Sequence, residues 1–217
     1  MALKRAILPV SKGGRDAGGW TRDELRRLRR LKSPVGIQKF LDDLPYNLAL
    51  TSMSPREVLR QQTASCLEGA IFGAAALRAI GYPPLILDLE AEHDTDHVLA
   101  IFQVRGLWGA IGKSNFTGCR YREPVYRTLR ELALSYFNIY FNLRFERTLR
   151  NYSRPVNLRR FDRLHWETST KPIWFIAEYL CEIAHTPLFS AEVARHLTRV
   201  DQRTVKGEML GHRKKHG

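Results

Sequence analysis

The feature of the sequence that most constrains the fold is an alanine- and glycine-rich segment between Ser65 and Pro83. Ser65 and Glu68 have the spacing of a capping box, which predicts that a helix begins at Cys66. Gly81 and Pro83 are typical of a helix end. Because alanine and glycine are among the residues most often buried, we expect other elements to pack closely around this helix.

A small antiparallel sheet is predicted directly after this helix. Apolar side chains alternate from Leu85 to Glu90, which is the period of a strand. Residues 97–104 and 107–111 are apolar runs separated only by Arg105-Gly106, a pattern typical of a β-hairpin. Helical patterns on both sides of the sheet indicate an α+β fold.

The flanking helices are predicted from capping signals and apolar periodicity. The signals are helix starts at Thr21 and Ser54, an apolar-periodic stretch at 34–46, a helical pattern from about Tyr126 onward, and helices at 172–184 and 190–197. The central sheet is therefore expected to lie between helical regions.

Charge and composition narrow the function classes. The chain has 35 Lys and Arg against 22 Asp and Glu, a formal charge of +13, which favours an anionic partner such as a nucleic acid or an acidic protein. A hydrophobic content of 44% excludes a wholly disordered chain.

No apolar run approaches the roughly 20 residues needed to span a bilayer, so we expect no membrane association and a cytoplasmic location. The three cysteines are too few and too scattered for a disulfide scaffold, which fits a reducing compartment.

Cys66 and His97 are the candidate catalytic pair. A helix N-terminus stabilises a thiolate, and Cys66 is predicted to be the first helical residue, which favours a thiol of lowered pKa. His97 opens a strand 31 residues later and would supply an imidazole base. From composition alone, a small buried cysteine in the helix and a histidine at a strand edge are the favoured interpretation, because free cysteine is among the most buried residue types.

The order of several short segments resembles the transglutaminase-like superfamily of cysteine enzymes. These are Cys66-Leu-Glu-Gly-Ala, Ala76-Leu-Arg-Ala-Ile-Gly-Tyr-Pro83, Asp96-His97-Val-Leu-Ala-Ile-Phe102 and Trp108-Gly-Ala-Ile111. The likeness covers roughly residues 54–116. It implies a papain-like core with a Cys-His-acid triad, and chemistry on amides or thioesters.

The third member of that triad departs from the family pattern. The family's acid would fall about four residues after Trp108, and this position is Gly112. With a two-residue turn, His97 lies opposite Ser114, whereas a bulge or a three-residue turn would bring Asn115 there instead. Because an amide oxygen can orient an imidazole, we expect Asn115 to be the third member, with Ser114 as the alternative.

Stabilisation of an oxyanion is expected from the backbone N–H of Cys66 and one donor upstream. Gln61 and Gln62 lie close before the nucleophile and have suitable amides. For each of them taken singly, a polar side chain at a helix end that faces water is the favoured interpretation. We expect no cofactor and no metal, because neither C-x-x-C nor H-E-x-x-H is present.

These observations predict an α+β protein with a papain/transglutaminase-like core, in which a nucleophile-bearing helix packs on a small antiparallel sheet. Residues 1–19 would be a basic flexible arm, 20–160 the transglutaminase-like domain, and 161–217 a helical C-terminal extension with a basic tail. The predicted function is a cysteine-dependent amide or peptide hydrolase or acyl transferase that acts through an acyl-enzyme. The alternatives are a catalytically inactive scaffold of the same fold that binds an anionic partner, and a basic protein associated with nucleic acid.

Overall fold

The computed structural model describes residues 19–210 and 212. Residues 1–18 of the predicted basic arm lie outside the described residues, and so do residues 211 and 213–217 of the basic tail. The helices are α1 (Arg22–Arg29), α2 (Pro34–Asp43), α3 (Pro55–Gln61), α4 (Cys66–Ala79), α5 (Leu129–Phe137), α6 (Phe175–Glu182), α7 (Ala191–Arg195) and α8 (Gln202–Glu208). The strands are β1 (Leu85–Ala91), β2 (His97–Val104), β3 (Leu107–Ile111), β4 (Arg122–Tyr126), β5 (Leu149–Ser153), β6 (Val156–Asn157) and β7 (His185–Pro187), and a 3₁₀ helix spans Leu158–Leu164.

The predicted helix starts are confirmed by their side-chain caps. At the start of α1, Thr21 accepts a hydrogen bond from the Glu24 N–H, and the Glu24 carboxylate accepts one from the Thr21 N–H. Ser65 and Glu68 form the same reciprocal pair at the start of α4. These local contacts satisfy N–H groups that the first helical turn leaves without a partner, so each helix begins at the expected residue.

The strands form one antiparallel sheet, which confirms the predicted α+β class. Its order is β4-β3-β2-β1-β5-β7, and β6 pairs with the first part of β1. The β2–β3 hairpin turns at Arg105 and Gly106, whose φ angles of 52° and 81° are those of a two-residue hairpin turn. Val104 therefore pairs with Leu107, and the ladder runs to the pair formed by Ala100 and Ile111.

The two faces of the sheet pack against different helices. Ile86 and Val98 belong to the core that contains α4, whereas Leu87 and Leu99 belong to the core that contains α5. This division follows from the alternation of side chains along a strand. The sheet is thus covered on both faces, and α4, whose side chains from Glu68 to Leu77 are all buried, is the central helix.

The region after residue 126 differs from the helical prediction. Between residues 126 and 157 only Leu129–Phe137 is helical, and residues 149–153 and 156–157 form β5 and β6 instead. Leu149 is fully buried, and Tyr152 pairs with Leu89 of β1, a residue 63 positions earlier. The spacing of the arginines in this region indicates only which positions face solvent. It does not distinguish a helix from a strand. The segment beyond residue 160 also adds β7 to the sheet, next to β5.

No helix in the described part of the chain has the length and apolar character needed to cross a membrane.

Candidate active site

A cavity of about 70 Å³ lies where the start of α4 meets the start of β2 and the segment that follows β3. Four of the six predicted site residues line it, namely Cys66, His97, Ser114 and Asn115. The fold therefore brings together residues that lie up to 49 positions apart in the sequence. The remaining two predicted residues, Gln61 and Gln62, are not part of its lining.

The thiol of Cys66 sits at the first turn of α4 and is half-buried. Its sulfur lies 3.9 Å from the carbonyl oxygen of Asp96, the residue before His97. Burial raises the pKa of the Cys66 thiol above its ordinary value, and hydrogen bonds from Tyr46 and from the backbone only partly oppose this effect. The direction is opposite to the lowered pKa expected from the helix N-terminus, because removal from water outweighs the hydrogen bonds that favour the thiolate.

The imidazole of His97 is buried and oriented by a backbone carbonyl. Its Nε2 lies 2.9 Å from the carbonyl oxygen of Cys119. Because a carbonyl can only accept, Nε2 carries the hydrogen in this hydrogen bond, and Nδ1 of the neutral ring is left as the basic nitrogen. Burial lowers the pKa of His97 to about 4, and the positive charge of Arg122 acts in the same direction.

Gly112, where the resemblance would place an acid, lies directly against this imidazole. A Cβ atom placed on Gly112 would lie 3.2 Å from Nε2 of His97 and 3.2 Å from the carbonyl oxygen of Cys119. It would also lie 2.9 Å from a methyl group of Leu99, so an acidic side chain does not fit without displacing its neighbours. The Cys119 carbonyl thus occupies the acceptor position that a carboxylate holds in a Cys-His-acid triad.

Ser114 and Asn115 line the same cavity, but the hydrogen bond of His97 Nε2 is made with neither of them. The hydroxyl oxygen of Ser114 accepts a hydrogen bond of 2.9 Å from the N–H of Phe116. The extended register that would place Ser114 opposite His97 ends at Ile111, the last residue of β3. In this structure the hydrogen bond to His97 Nε2 that was expected from Asn115 or Ser114 is made by the Cys119 carbonyl, and the roles predicted for these two residues stay predictions.

The amides of Gln61 and Gln62 are engaged at the end of α3. Gln61 donates to the Glu57 carboxylate at 3.3 Å, and Gln62 donates to the Leu59 carbonyl at 2.7 Å. Both residues are exposed. Gln62 has a φ of 53° and caps α3, which makes it a structural residue of the helix end. Neither residue lines the cavity that contains the thiol.

Tyr46 is one of the cavity residues that the sequence did not single out. It lines the cavity, and its hydroxyl lies close enough to the Cys66 thiol to lower the pKa of that group, against the larger effect of burial. A parallel bridge between Tyr46 and Ala64 holds it there, with the N–H of Asn47 bound to the Ala64 carbonyl at 3.0 Å. This bridge joins segments 18 residues apart, and no local pattern in the sequence indicates it.

A buried carboxylate fixes the helix end that carries the thiol. Glu68 accepts hydrogen bonds from the Ser65 N–H at 2.8 Å and from the Asn47 amide at 3.0 Å. It also accepts from the Thr51 hydroxyl at 2.7 Å and from the Met53 N–H at 3.0 Å. Both carboxylate oxygens thus bind two donors each, which compensates for their burial. The start of α4 is tied by these bonds to the loop that follows Tyr46.

A second, larger cavity of about 430 Å³ adjoins the first. The two share Tyr46, Ser114, Asn115 and Phe116 as lining residues. Its far wall contains an ion pair of 3.2 Å between Arg120 and Asp42.

No protein-family model matches the chain, and no curated protein matches it either. The likeness to the transglutaminase-like superfamily consequently rests on the residues named above.

Proposed function

We propose that the protein is a cysteine-dependent amide or peptide hydrolase or acyl transferase with a papain/transglutaminase-like core. The observation that carries this proposal is that Cys66 and His97 line one cavity, while the Cys119 carbonyl binds Nε2 and leaves Nδ1 as the base. A nucleophile, a base and a group that orients the base are the elements that such catalysis requires.

In the resting site both partners are neutral at neutral pH. Burial raises the pKa of the Cys66 thiol and lowers the pKa of His97, so a preformed thiolate–imidazolium pair is disfavoured. The thiol proton would instead move to Nδ1 of His97 as the sulfur attacks the substrate carbonyl. This is general-base catalysis of the kind that serine enzymes use.

The reaction would proceed through a thioester. The sulfur of Cys66 forms a bond to the carbonyl carbon, and the imidazolium of His97 donates its proton to the departing amine as the C–N bond breaks. Water or a second amine then attacks the thioester and gives its proton to His97, and the thiolate leaves and is reprotonated. The products are a carboxylic acid or a new amide, with the thiol restored.

Two donors are available for the oxyanion. The backbone N–H of Cys66 lies in the first helical turn, whose N–H groups lack partners within the helix. The hydroxyl of Tyr46 lies next to the attacking sulfur and would be the second donor. Tyr46 thus takes the role that the sequence suggested for Gln61 or Gln62.

A catalytically inactive scaffold is the second candidate, and two observations favour it. The Cys66 thiol has a raised pKa, and His97 is oriented by a carbonyl that carries no full charge. A carboxylate would stabilise the imidazolium more strongly than a neutral carbonyl does. In this case Cys66 would be inert towards acyl donors.

Acylation by an activated ester distinguishes these two candidates. The protein is incubated with p-nitrophenyl acetate at pH 7, and acetylated cysteines are located by peptide mass spectrometry. We expect acetyl transfer to Cys66, reduced on the order of 100-fold or more in His97→Gln, because general-base assistance contributes at least that much. The exposed Cys181 is the internal control for uncatalysed reaction. Acetylation of Cys66 no faster than that of Cys181, or unaffected by His97→Gln, would support the scaffold.

A further inference from the structure

The turn that orients His97 is held from the C-terminal end of the chain. The N–H of Gly118 donates to the Glu208 carboxylate at 2.6 Å, and the N–H of Thr117 donates to the Glu208 carbonyl at 2.9 Å. The hydroxyl of Thr117 donates to the Leu210 carbonyl at 3.0 Å. Glu208 is the last residue of α8, so these bonds connect the C-terminal helix to the residue directly before Cys119.

Each carbonyl oxygen from Thr117 to Arg120 accepts a hydrogen bond from a side chain. The Thr117 carbonyl accepts from Arg120 Nε at 2.7 Å, and the Gly118 carbonyl accepts from Arg122 Nη1 at 2.9 Å. The Cys119 carbonyl accepts from His97 Nε2 at 2.9 Å, and the Arg120 carbonyl accepts from the Tyr136 hydroxyl at 2.7 Å. A peptide whose neighbours are held in this way cannot rotate without breaking several hydrogen bonds. The direction of the Cys119 carbonyl therefore depends on the whole turn.

Gly118 makes the contact with Glu208 tight. A Cβ atom at this position would lie 2.5 Å from Glu208 Oε1 and 2.6 Å from the Cδ1 atom of Ile139. The carboxylate consequently lies directly against the main chain of the turn. A displacement of Glu208 would leave the Gly118 N–H without its acceptor and give the turn space to move.

Apolar packing holds α8 in this position. Val205 of α8 is buried in a small core with Phe141 and Val200, and Phe116 packs against that core. Phe116 and Phe141 also line the cavity that contains Cys66. The end of α8 is therefore anchored next to the site by side chains independent of Glu208.

We propose that Glu208 is a positioning residue of the active site, which holds the Gly118–Cys119 turn so that the Cys119 carbonyl fixes the orientation of His97. The proposal rests on the proposed function, because it concerns the base of that reaction. The usual acid position, Gly112, has no carboxylate. The Glu208 carboxylate at the end of α8 instead acts on His97 indirectly, through the main chain of the Gly118–Cys119 turn. The predicted C-terminal extension becomes part of the catalytic apparatus.

The test compares Glu208→Ala, Glu208→Gln and Asp201→Ala. Glu208→Gln keeps an oxygen that can accept from Gly118, whereas Glu208→Ala does not. Asp201 caps α8 by accepting from the N–H groups of Arg203 and Thr204, so its substitution weakens the same helix without touching the turn. Long-range ¹H–¹⁵N NMR reports the tautomer and pKa of His97, and acetylation of Cys66 by p-nitrophenyl acetate reports the reaction.

In Glu208→Ala we expect loss of the single Nε2–H tautomer and a rise of the His97 pKa towards 6.5. Acetylation of Cys66 should fall roughly 10- to 100-fold, the size of effect that misplacement of a catalytic group produces. Glu208→Gln and Asp201→Ala should keep the wild-type His97 spectrum and stay within about threefold of the wild-type rate.

An unchanged His97 spectrum in Glu208→Ala would overturn the proposal, and so would an equal change in Asp201→Ala, which would assign the effect to helix stability. A failure of the proposed function would give a different result from a failure of the role proposed for Glu208. In that case wild-type Cys66 is not acetylated, while the NMR spectrum of His97 still shows whether Glu208 positions the ring.

Discussion

Single hydrogen bonds decide the chemistry of the site. His97 donates from Nε2 to the Cys119 carbonyl, and the Tyr46 hydroxyl interacts with the Cys66 thiol. Neither partner was predictable from the sequence, because each is brought to the cavity by long-range contacts. The positions of Cys66 at a helix start and of His97 at a strand start were predictable, since a capping box and a strand start are local signals.

Tyr46 offers a direct test at the residue scale. We predict that Tyr46→Phe lowers the rate of Cys66 acetylation on the order of 100-fold, because one donor to the oxyanion is lost. Tyr121→Phe is the matched control, since its hydroxyl binds Glu123 and lies outside the cavity lining. The two variants are compared by the peptide-resolved rate of acetylation. Equal rates in both variants would remove Tyr46 from the mechanism.

The buried imidazole predicts a dependence of stability on pH. The pKa of His97 is lowered to about 4 in the folded protein, against about 6.5 for an unfolded chain. Between these values the unfolded state binds the proton and the folded state does not, so this contribution to stability is complete above pH 6.5 and is lost as pH falls towards 4. We expect about 2–3 kcal/mol of the free energy of unfolding to be lost between pH 7 and pH 4.5.

Urea unfolding of wild type and His97→Gln at these two pH values measures that contribution. Glutamine can still donate to the Cys119 carbonyl but does not titrate. The pKa of Asp88, raised to about 6 mainly by burial, acts with the opposite sign over part of the range, and the difference between the two proteins cancels it. An equal loss in wild type and variant would show that His97 is not buried as a neutral ring.

At the scale of elements, local signals explain which parts were predictable. The start of α4 and the β2–β3 hairpin follow from caps and a turn within a few residues of each other. By contrast, β5 is a strand because its partner is β1, about 60 positions earlier in the chain, and its own residues do not carry a strand pattern. The same limit applies to the segment of residues 114–119, whose position depends on α8.

The buried carboxylate of Glu68, in the first turn of α4, gives a prediction about the stability of this helix. In Glu68→Gln the new amide group would face two hydrogen-bond donors, so we expect a loss of about 3 kcal/mol in the free energy of unfolding. Glu57→Gln in α3 is the control, because Glu57 is only half-buried and its carboxylate contacts Arg60 and Gln61 near the surface. Denaturant unfolding at pH 7 compares the two. A loss below about 1 kcal/mol in Glu68→Gln would contradict its role.

The whole molecule is held together across the boundary predicted at residue 160. Beyond that boundary, β7 covers the edge of β5, and Ile173, Ile176 and Leu180 are buried in the same core as α4. The formal charge of +13 carries no information about this packing.

The fragment of residues 20–160 is therefore predicted not to fold stably by itself. It would expose the edge of β5 and the apolar surface that α6 covers. Thermal unfolding followed by circular dichroism compares this fragment with residues 20–217. A cooperative transition of the fragment within a few degrees of the longer chain would contradict the prediction.

The central claim, that neutral His97 deprotonates Cys66, is tested most directly by the pH dependence of Cys66 acetylation. In wild type we predict that the rate rises as pH passes through about 4, the pKa of His97, and is then level up to neutral pH. In His97→Gln the rate should rise only as the thiol itself ionises, above the roughly 8.5 of a free cysteine. A wild-type profile that follows the thiol alone, and that His97→Gln leaves unchanged, would contradict the account.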